Sequence, residues 1–444
     1  MSDTGEDPPL DSSGKVLKNW DPERDANWSS EIAWTTLSIT TYSMIMAFCV
    51  WFLASAIAPK LNEIGFDLSK AQLYWLTSMP GLSCALMRLV YTFLPPIVGT
   101  RKLVGISSLL FVIPMLGWFF AVQNAQTPYG WLLVLSFMCG IGGGAFSGYM
   151  PSTGYFFPKR LTGTALGIQA GIGNLGMSII QLVGPLLMGF SLFGMTWLGP
   201  QEGANGSIWV YNAAIFFIPW CIAACFLAFW LLKDVPIKSN IRQQLDIFSN
   251  ANTWYMTALY IMTFGVFSGF SAQFGLLIND NYGATSPLQL AVSGASFAFL
   301  GPMIGALVRV VWGPLCDKLG GGIWTVVSGV GMALTLAGAG VFLLNPKGHG
   351  DFSGFLVMML AMFFFSGIGN AGTFKQMPMI MPKLQAGGAI GFTAAVASLG
   401  PFIVGVALTA MAPATFFFLC AVYCVACSAM CWVRYAAKNA PFPG

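Results

Sequence analysis

Residues 158–176 read PKRLTGTALGIQAGIGNLG, and residues 382–400 read PKLQAGGAIGFTAAVASLG. When these two segments are aligned end to end, the identical pairs include Pro158/Pro382, Lys159/Lys383, Gly163/Gly387, Ala165/Ala389, Gly167/Gly391, Ala170/Ala394 and Gly176/Gly400. A second alignment, in a slightly different register, places Ala85 on Ala306, Arg88 on Arg309 and Tyr91 on Trp312. Because both alignments pair an early segment with a late one, the chain is predicted to consist of two related halves.

The composition predicts a membrane protein. Of the 444 residues, 56% are hydrophobic and only 8% are charged, whereas a soluble domain carries about 25% charged residues. Runs of about 20 apolar residues span a bilayer as helices. Twelve such runs occur, at residues 34–58, 71–95, 103–122, 130–157, 164–189, 208–232, 253–278, 288–315, 323–344, 353–375, 386–411 and 414–436. The sequence therefore predicts an all-α membrane protein with twelve transmembrane helices.

The two halves are predicted to be pseudo-symmetric six-helix bundles, residues 31–232 and 251–436, joined by a polar linker, residues 233–250. Residues 1–30 are polar and acidic and lack the apolar region of a signal peptide. We expect them to form a mostly disordered cytoplasmic tail, and residues 437–444 to form a second, short one. Two bundles of parallel topology face each other across a midplane site and rock around it.

The distribution of lysine and arginine predicts the orientation in the membrane. With the N-terminus inside, fourteen of these residues lie on the cytoplasmic side, against Lys60, Lys70 and Lys347 outside. This excess matches the positive-inside pattern, which predicts a multi-pass protein of the cell inner (plasma) membrane with both termini in the cytoplasm. All ten cysteines lie in or at the ends of predicted helices, so we expect no disulfide. The net charge does not indicate nucleic-acid binding.

Two arginines lie deep in the predicted bilayer core. Arg309 lies eight residues before Asp317, about 12 Å deeper, and Arg88 lies eleven residues before Gly99, about 16 Å deeper. None of the 16 acidic residues falls within a predicted span, although an arginine at that depth costs at least about 2.5–3.5 kcal/mol. The pair therefore predicts a small substrate anion held between two guanidinium groups. The alternative is that each arginine snorkels or bonds to backbone carbonyls.

The sequence offers one candidate for proton coupling. The only histidine, His349, lies in a predicted outer loop, and proton relays generally use Asp, Glu or His. Lys375 lies late in the tenth predicted helix, and a buried lysine loses its proton readily. Its alternative role is that of a snorkelling residue near the inner interface.

Glycines and aromatic residues line several predicted helices. The fifth helix has one smooth face of glycines and a mid-membrane Asn174, and an asparagine there needs a partner. Its glycines are Gly163, Gly167, Gly171, Gly173 and Gly176. Tyr260 and Phe264 are four residues apart and share a face, while Phe146 and Phe48 lie in the fourth and first helices. These residues predict either a path past a small flat ligand or tight helix packing.

The two six-helix halves resemble the major facilitator superfamily in topology. The stretch Gly313-Pro-Leu-Cys-Asp317-Lys318-Leu-Gly320 resembles that superfamily's G-x-x-x-D-R/K-x-G motif at the cytoplasmic gate. The alternative to a gate role is that Asp317 is simply a solvated charge at the end of a helix. The corresponding first-half loop, Gly99-Thr-Arg101-Lys102, has no Asp. More specifically, residues 163–181, GTALGIQAGIGNLGMSIIQ, look like the nitrate signature of the nitrate/nitrite porter family, with Gly391–Gly400 as a weaker copy.

This resemblance implies roles for individual residues. Arg88 and Arg309 would hold nitrate or nitrite, and Asn174 and Tyr260 would add hydrogen bonds. Phe146 and Phe264 would sandwich the flat anion, with Phe48 nearby. Gly171 and Gly391 would let their helices slide as the halves rock, whereas Ala394 stands where one family pattern has Ser. The segment Thr373-Phe374-Lys375-Gln376 resembles the lysine-bearing tenth helix of some members, which would mark proton-coupled symport.

The favoured function is nitrate uptake or nitrate/nitrite exchange by alternating access, with each chain complete as a monomeric transport unit. An exchanger of organic phosphates or carboxylates also uses paired arginines, but a larger substrate needs a more polar lining. A sensor would add a soluble output domain, and no segment is long enough to fold into one. An enzyme would show a nucleophile, metal cluster or acid–base pair. Because none is evident, we expect no catalysis, metal or cofactor.

Overall fold

The computed structural model describes residues 10–192, 199–203, 206–236, 246–284, 286–290, 292–382 and 385–442, except for the side chain of Asp317. This part of the chain is almost entirely helical. The first half contains six long helices, some of them interrupted, which are α1 (Ser30–Trp51), α2 (Lys70–Phe93), α3 (Thr100–Leu110 and Val112–Ala121), α4 (Tyr129–Gly144 and Phe146–Gly154), α5 (Lys159–Leu187) and α6 (Asn212–Ile215 and Ile218–Leu231). The short helices Leu53–Ile57 and Pro95–Val98 follow α1 and α2.

The second half repeats this arrangement. Its helices are α7 (Ala251–Tyr260 and Val266–Tyr282, joined by the π-helix Ile261–Gly265), α8 (Leu300–Leu319), α9 (Gly321–Leu344), α10 (His349–Ile380), α11 (Ala386–Ala397 and Gly400–Ala410) and α12 (Pro413–Cys431, continued by the π-helix Trp432–Ala436). One antiparallel hairpin, β1 (Gln201–Gly203) and β2 (Gly206–Ile208), lies between α5 and α6. Short 3₁₀ turns occur at Asp25–Asn27, Ala58–Lys60, Asn62–Ile64, Asp246–Ser249 and Gly294–Ser296.

Eleven described helical segments are long and apolar enough to cross a membrane. The one long helix outside this set of eleven is α2, which has 24 residues. At 1.5 Å per residue it is about 36 Å long, which also spans a bilayer core. It is less apolar than the others because Arg88 and several hydroxyl-bearing residues lie within it. The predicted fold class is therefore confirmed.

Two ends of the bundle can be distinguished. The tail face carries residues 10–29, 94–99, 155–158 and 232–236, and the far face carries residues 58–69, 122–128 and 345–348. Helix α2 begins at the far face, where Ser69 accepts a hydrogen bond from the Gln72 amide and the Gln72 side chain accepts one from the Ser69 amide. This capping box satisfies two amides that the first turn of the helix leaves unpaired.

The N-terminal segment corrects one prediction, because residues 10–29 are ordered against the tail face. The Trp20 indole donates to the Tyr155 carbonyl at 3.0 Å, and the Trp28 indole donates to the Phe156 carbonyl at 2.8 Å. Leu17 is fully buried. The prediction of a mostly disordered tail is wrong for these residues because it weighed their charges and overlooked three large apolar side chains that can be buried.

Candidate functional site

Arg88 lies on α2 at the centre of the bundle and is fully buried. Its Nε donates to the Gly143 carbonyl of α4 at 3.1 Å, and its Nη1 donates to the Ala394 carbonyl of α11 at 2.8 Å. Its Nη2 makes no hydrogen bond to any described residue. Backbone carbonyls therefore satisfy part of this guanidinium, and one nitrogen stays available to a ligand.

Arg309 lies on α8 and is 4% exposed. Neither Nη1 nor Nη2 forms a hydrogen bond within the part of the chain that the structure describes. The ion pairs found among the described residues involve neither Arg309 nor Arg88. The second guanidinium is thus less satisfied than the first, and neither has a carboxylate partner among the described side chains.

An aromatic cluster connects the two arginines. The Arg88 guanidinium lies over the rings of Phe146, Phe264 and Trp51, at 4.7, 5.1 and 5.7 Å from their centroids. The Arg309 guanidinium lies 5.0 Å from the Phe374 ring. Phe146 and Phe374 are themselves 6.4 Å apart, edge to face. Both guanidinium groups therefore face one continuous aromatic cluster, whose electron-rich ring faces stabilise nearby cations.

The remaining members of the cluster are Tyr260 and Phe48. Tyr260 stacks on Phe264 at 5.2 Å with an interplanar angle of 8°, and lies 6.4 Å from Phe374. The π-helix that follows Tyr260 accompanies this stacking, and such irregular turns are frequent at functional sites. Phe48 stacks on Phe146 at 6.2 Å. The structure thus brings all four predicted aromatic residues together with both arginines.

Two members of the cluster, Trp51 and Phe374, were not predicted as site residues. Trp51 follows Phe48 by one helical turn, and Phe374 directly precedes Lys375. An aromatic stripe in the sequence does not show which rings meet across helices. The signal for Phe374 was its place beside the one lysine of α10.

Several buried polar groups in this region make no hydrogen bond to the described residues. Asn174 is fully buried on α5, and neither its Oδ1 nor its Nδ2 has such a partner. The Tyr260 hydroxyl is in the same situation. Asn370 of α10, which the sequence analysis did not identify, likewise has no such partner for its Oδ1 or its Nδ2. Because buried polar groups are normally hydrogen-bonded, these two amides and this hydroxyl are candidates for contact with a polar ligand.

The predicted glycines fall into two sets. A Cβ at Gly173, Gly176 or Gly400 would collide with Met44, the Ile45 carbonyl or the Gly265 carbonyl, so these glycines allow close helix packing within one half. Gly171 meets Val310 of α8, and a Cβ at Gly391 would lie 2.9 Å from Thr92 of α2, so both lie where the halves touch.

Helices α5 and α8, one from each half, separate toward the tail face. Gly163, Gly167 and Gly387 are exposed, and a Cβ at any of them would meet nothing within 4 Å. Gly163 and Gly167 share the helix face of Gly171, which is buried against α8. The contact between α5 and α8 therefore ends near Gly171 and gives way to open space beyond it.

The far face is closed by contacts between the halves. Lys70 forms an ion pair with Asp280 at 3.3 Å. The Gln273 Nε2 donates to Ser78 Oγ of the first half at 3.3 Å, and the Gln181 Nε2 of the first half donates to the Ser271 carbonyl at 2.8 Å. The site is therefore covered on the far-face side, whereas toward the tail face α5 and α8 separate while α2 and α11 stay in contact at Thr92 and Gly391.

Lys375 and Asp317 remain candidates. Lys375 is half-buried on α10, beside Phe374, and lies five residues before the tail-face end of that helix. Asp317 lies in the last turn of α8, and its side chain lies outside the described residues.

Comparisons with known proteins place the chain in a family. The sequence profile of the Major Facilitator Superfamily matches residues 39–349. The chain is 50% identical to the probable nitrate/nitrite antiporter NarK2 of Thermus thermophilus, with 97% of this chain and 98% of that protein covered. It is 34% identical to the nitrate/nitrite transporter NarU of Salmonella typhimurium, over 96% of this chain and 97% of that protein.

The fold is also found in a solved structure, a bacterial homologue of the human lysosomal transporter Spinster in an inward-facing, unoccupied conformation. The TM-score is 0.64 at 16% identity, over 91% of this chain and 97% of that one. This likeness concerns the fold alone, whereas the sequence relatives are named as transporters rather than enzymes. The chain belongs to the Major Facilitator Superfamily and, within it, to the nitrate/nitrite porter family.

Proposed function

We propose that the protein transports nitrate and nitrite across the cell inner membrane by alternating access, with the anion held between Arg88 and Arg309. The observation that carries this proposal is two buried guanidinium groups that form no ion pair with a described carboxylate and face one aromatic cluster. Three of their nitrogens, Nη2 of Arg88 and both Nη atoms of Arg309, make no hydrogen bond to the described residues. An anion between them would supply acceptors and charge in a region where charge-assisted hydrogen bonds are strong.

The lining suits a small flat anion better than an organic phosphate or carboxylate. The aromatic residues form the apolar walls, and Asn174 and Tyr260 supply two further polar groups. Phe146 and Phe264 both lie within about 5 Å of the Arg88 guanidinium. A planar anion beside Arg88 would lie between these rings, as their predicted role requires. The names of the relatives support the same substrates.

The transport cycle follows from the closed far face and from the separation of α5 and α8 toward the tail face. We assign the tail face to the cytoplasm because the positively charged loops lie there. The structure would then represent a state open to the cytoplasm, and rocking of residues 31–232 against 251–436 would break the Lys70–Asp280 pair as the far face opens. The Arg88 bond to Ala394 links the anion site directly to the opposite half. Because one chain holds both arginines, it would function as a monomer.

Exchange of nitrate for nitrite is the favoured mode. It is supported by the 50% identical relative, which is named as a probable antiporter. Proton-coupled symport is the second mode, and Lys375 is its candidate residue because it is half-buried next to the aromatic cluster. Asp317 remains the candidate for the cytoplasmic gate.

Nitrate uptake by purified protein in lipid vesicles tests the proposal. One set of vesicles contains nitrite and has no proton gradient, and another has an inward proton gradient and no nitrite. Uptake that requires internal nitrite supports exchange, and uptake driven by the gradient alone supports symport through Lys375. Absence of nitrate and nitrite movement in both sets would refute the substrate assignment and favour an organic anion.

A further inference from the structure

Helix α10 carries a buried amide that the proposed mechanism does not yet use. Asn370 is fully buried, and neither its Oδ1 nor its Nδ2 makes a hydrogen bond to a described residue. An amide taken out of water without a partner is unfavourable, and it is rarely left in that state. We propose that Asn370 is a further anion-contacting residue, contributed by the second half, and that it favours nitrate over nitrite. This inference rests on the proposed function.

Internal symmetry places Asn370 against Arg309. The segment Gly140-Ile141-Gly142 recurs as Gly367-Ile368-Gly369, and Met150-Pro151 recurs in the same register as Met377-Pro378. In this alignment of α4 with α10, Gly143 corresponds to Asn370. In the first half, the Gly143 carbonyl accepts a hydrogen bond from Arg88. Arg309 is the counterpart of Arg88, and Asn370 is the counterpart of Gly143, which meets Arg88. Asn370 therefore occupies the position on α10 from which it would meet Arg309.

The helical period of α10 gives an independent indication of the same placement. A Cβ at Gly367 would lie 2.6 Å from the Gly305 carbonyl of α8, so this position faces α8. Phe374 faces the guanidinium of Arg309, which also belongs to α8, at 5.0 Å. Asn370 lies three residues after Gly367 and four before Phe374. Residues at these spacings share one helix face, so Asn370 lies on the side of α10 that faces α8 and the aromatic cluster.

The two halves supply their amides from different helices. In the first half the amide is Asn174 of α5, whose counterpart in α11 is Ser398 when residues 158–176 are aligned with 382–400. The Ser398 hydroxyl donates to the Ala395 carbonyl at 2.7 Å and is therefore satisfied by its own helix. The second half thus lacks an amide on α11 and carries one on α10, so that each half contributes one described amide, Asn174 or Asn370, in which neither polar atom is paired.

The number of donors matches nitrate better than nitrite. Among the residues assigned to the proposed anion site, six buried nitrogen or oxygen atoms with donor capacity lack a described partner, namely Arg88 Nη2, Arg309 Nη1, Arg309 Nη2, Asn174 Nδ2, Asn370 Nδ2 and Tyr260 Oη. The three oxygens of nitrate offer about six lone pairs, whereas the two oxygens of nitrite offer about four. Nitrite would therefore leave more of these donors unpaired than nitrate does, and removing the Asn370 amide would weaken nitrate binding more than nitrite binding.

The test compares Asn370→Leu, which removes the amide with little change of volume, with the unmodified protein. Binding of sodium nitrate and of sodium nitrite is measured by calorimetry on purified protein. We expect the nitrate Kd to rise about tenfold and the nitrite Kd to change less than about threefold. Thr373→Val is the matched control on the same helix, because the Thr373 hydroxyl donates to the Gly369 carbonyl at 2.8 Å. Both affinities should be unchanged in that variant.

An unchanged nitrate Kd in Asn370→Leu, or equal losses for nitrate and nitrite, would overturn the assignment of Asn370. If Asn370→Leu does not fold, Asn370→Ala undergoes the same measurement and is judged by the same criteria. The two proposals fail in different ways. Unmodified protein that binds neither anion overturns the proposed function and the assignment with it, whereas normal binding by the unmodified protein and by the Asn370 variant overturns the assignment alone.

Discussion

Replacing Arg309 by lysine separates anion binding from folding. Both Nη atoms of Arg309 lack a described partner, and the guanidinium lies 5.0 Å from the Phe374 ring. Lysine keeps the positive charge but loses the planar fork that pairs with two acceptor oxygens. One lost charge-assisted hydrogen bond costs about 1.5–3 kcal/mol, and weaker contact with Phe374 costs about 0.5–1 kcal/mol. The sum, about 2–4 kcal/mol, corresponds to a nitrate Kd raised about 30- to 1000-fold.

Calorimetric nitrate titration and thermal melting of purified Arg309→Lys protein measure both quantities. The melting temperature without nitrate should stay near that of the unmodified protein, because no described hydrogen bond to the protein is lost from the Nη atoms. The stabilisation that added nitrate gives the unmodified protein should disappear, since that stabilisation follows ligand affinity.

Arg434→Lys provides a matched control. The Arg434 Nε and Nη2 both donate to Asn252 Oδ1 at 3.1 Å, and its guanidinium lies 4.1 Å from the Tyr255 ring. The same substitution there should lower the melting temperature and leave the nitrate Kd unchanged. The reasoning about Arg309 is refuted if Arg309→Lys binds nitrate within about threefold of the unmodified protein while remaining folded.

Three further substitutions test other parts of the mechanism. Asn174→Ala should raise the nitrate Kd about tenfold with little change in melting temperature, and an unchanged Kd excludes the contact. Lys375→Gln should abolish acid-stimulated net uptake but spare exchange if Lys375 couples protons, and equal loss of both activities would assign it a structural or substrate role. Asp280→Asn should favour opening of the far face up to about fivefold, measured as faster labelling of Ser78→Cys by an impermeant maleimide, and unchanged labelling would contradict a closing role for the Lys70–Asp280 pair.

The fold and the centre of the candidate site could be predicted from the sequence because each has a strong local signal. Long apolar runs mark the helices, and internal repeats mark the halves. A buried arginine is unfavourable enough that two of them at equivalent positions demand an explanation. The aromatic residues at positions 48, 146, 260 and 264 could be included because the resemblance to a known family identified them among 14% aromatic residues.

The rest depends on contacts between helices, which a single sequence does not display. Phe374 lies near Phe146 and Tyr260, and these three residues come from α10, α4 and α7. Asn370 is surrounded by apolar residues and glycines, and nothing in its local sequence distinguishes it from an asparagine with a backbone partner. The hydrogen bonds from Arg88 to backbone carbonyls were predicted only as an alternative open to either arginine. The individual acceptors could not be named because they lie on α4 and α11.

The first-half loop shows how a contact distant in sequence replaces a residue that the symmetry leads one to expect. Gly99 and Gly320 are equivalent in the alignment that places Arg88 on Arg309. Each glycine directly precedes a helix and has a φ angle near +85°. In the same alignment, Pro96 stands where the second half has Asp317. Asp234, at the end of α6, reaches the first-half loop. Its Oδ1 accepts a hydrogen bond from the Arg101 amide at 2.9 Å, and its Oδ2 lies 3.6 Å from Arg101 Nε.

A carboxylate at the first turn of α3 is favourable because it accepts from an unpaired amide and opposes the positive end of the helix dipole. Gly99 makes this approach possible, since a Cβ there would lie 2.5 Å from Asp234 Oδ1. The backbone of Asp234 also pairs with the N-terminal segment, donating to the Lys15 carbonyl and accepting from Leu17, each at 2.9 Å. The order of the N-terminal segment and the absence of an acid from the first-half loop are therefore linked through Asp234, which contacts both. The segment holds α6 where Asp234 can cap α3. The second half needs no such arrangement, because it carries Asp317 in its own sequence close to Gly320.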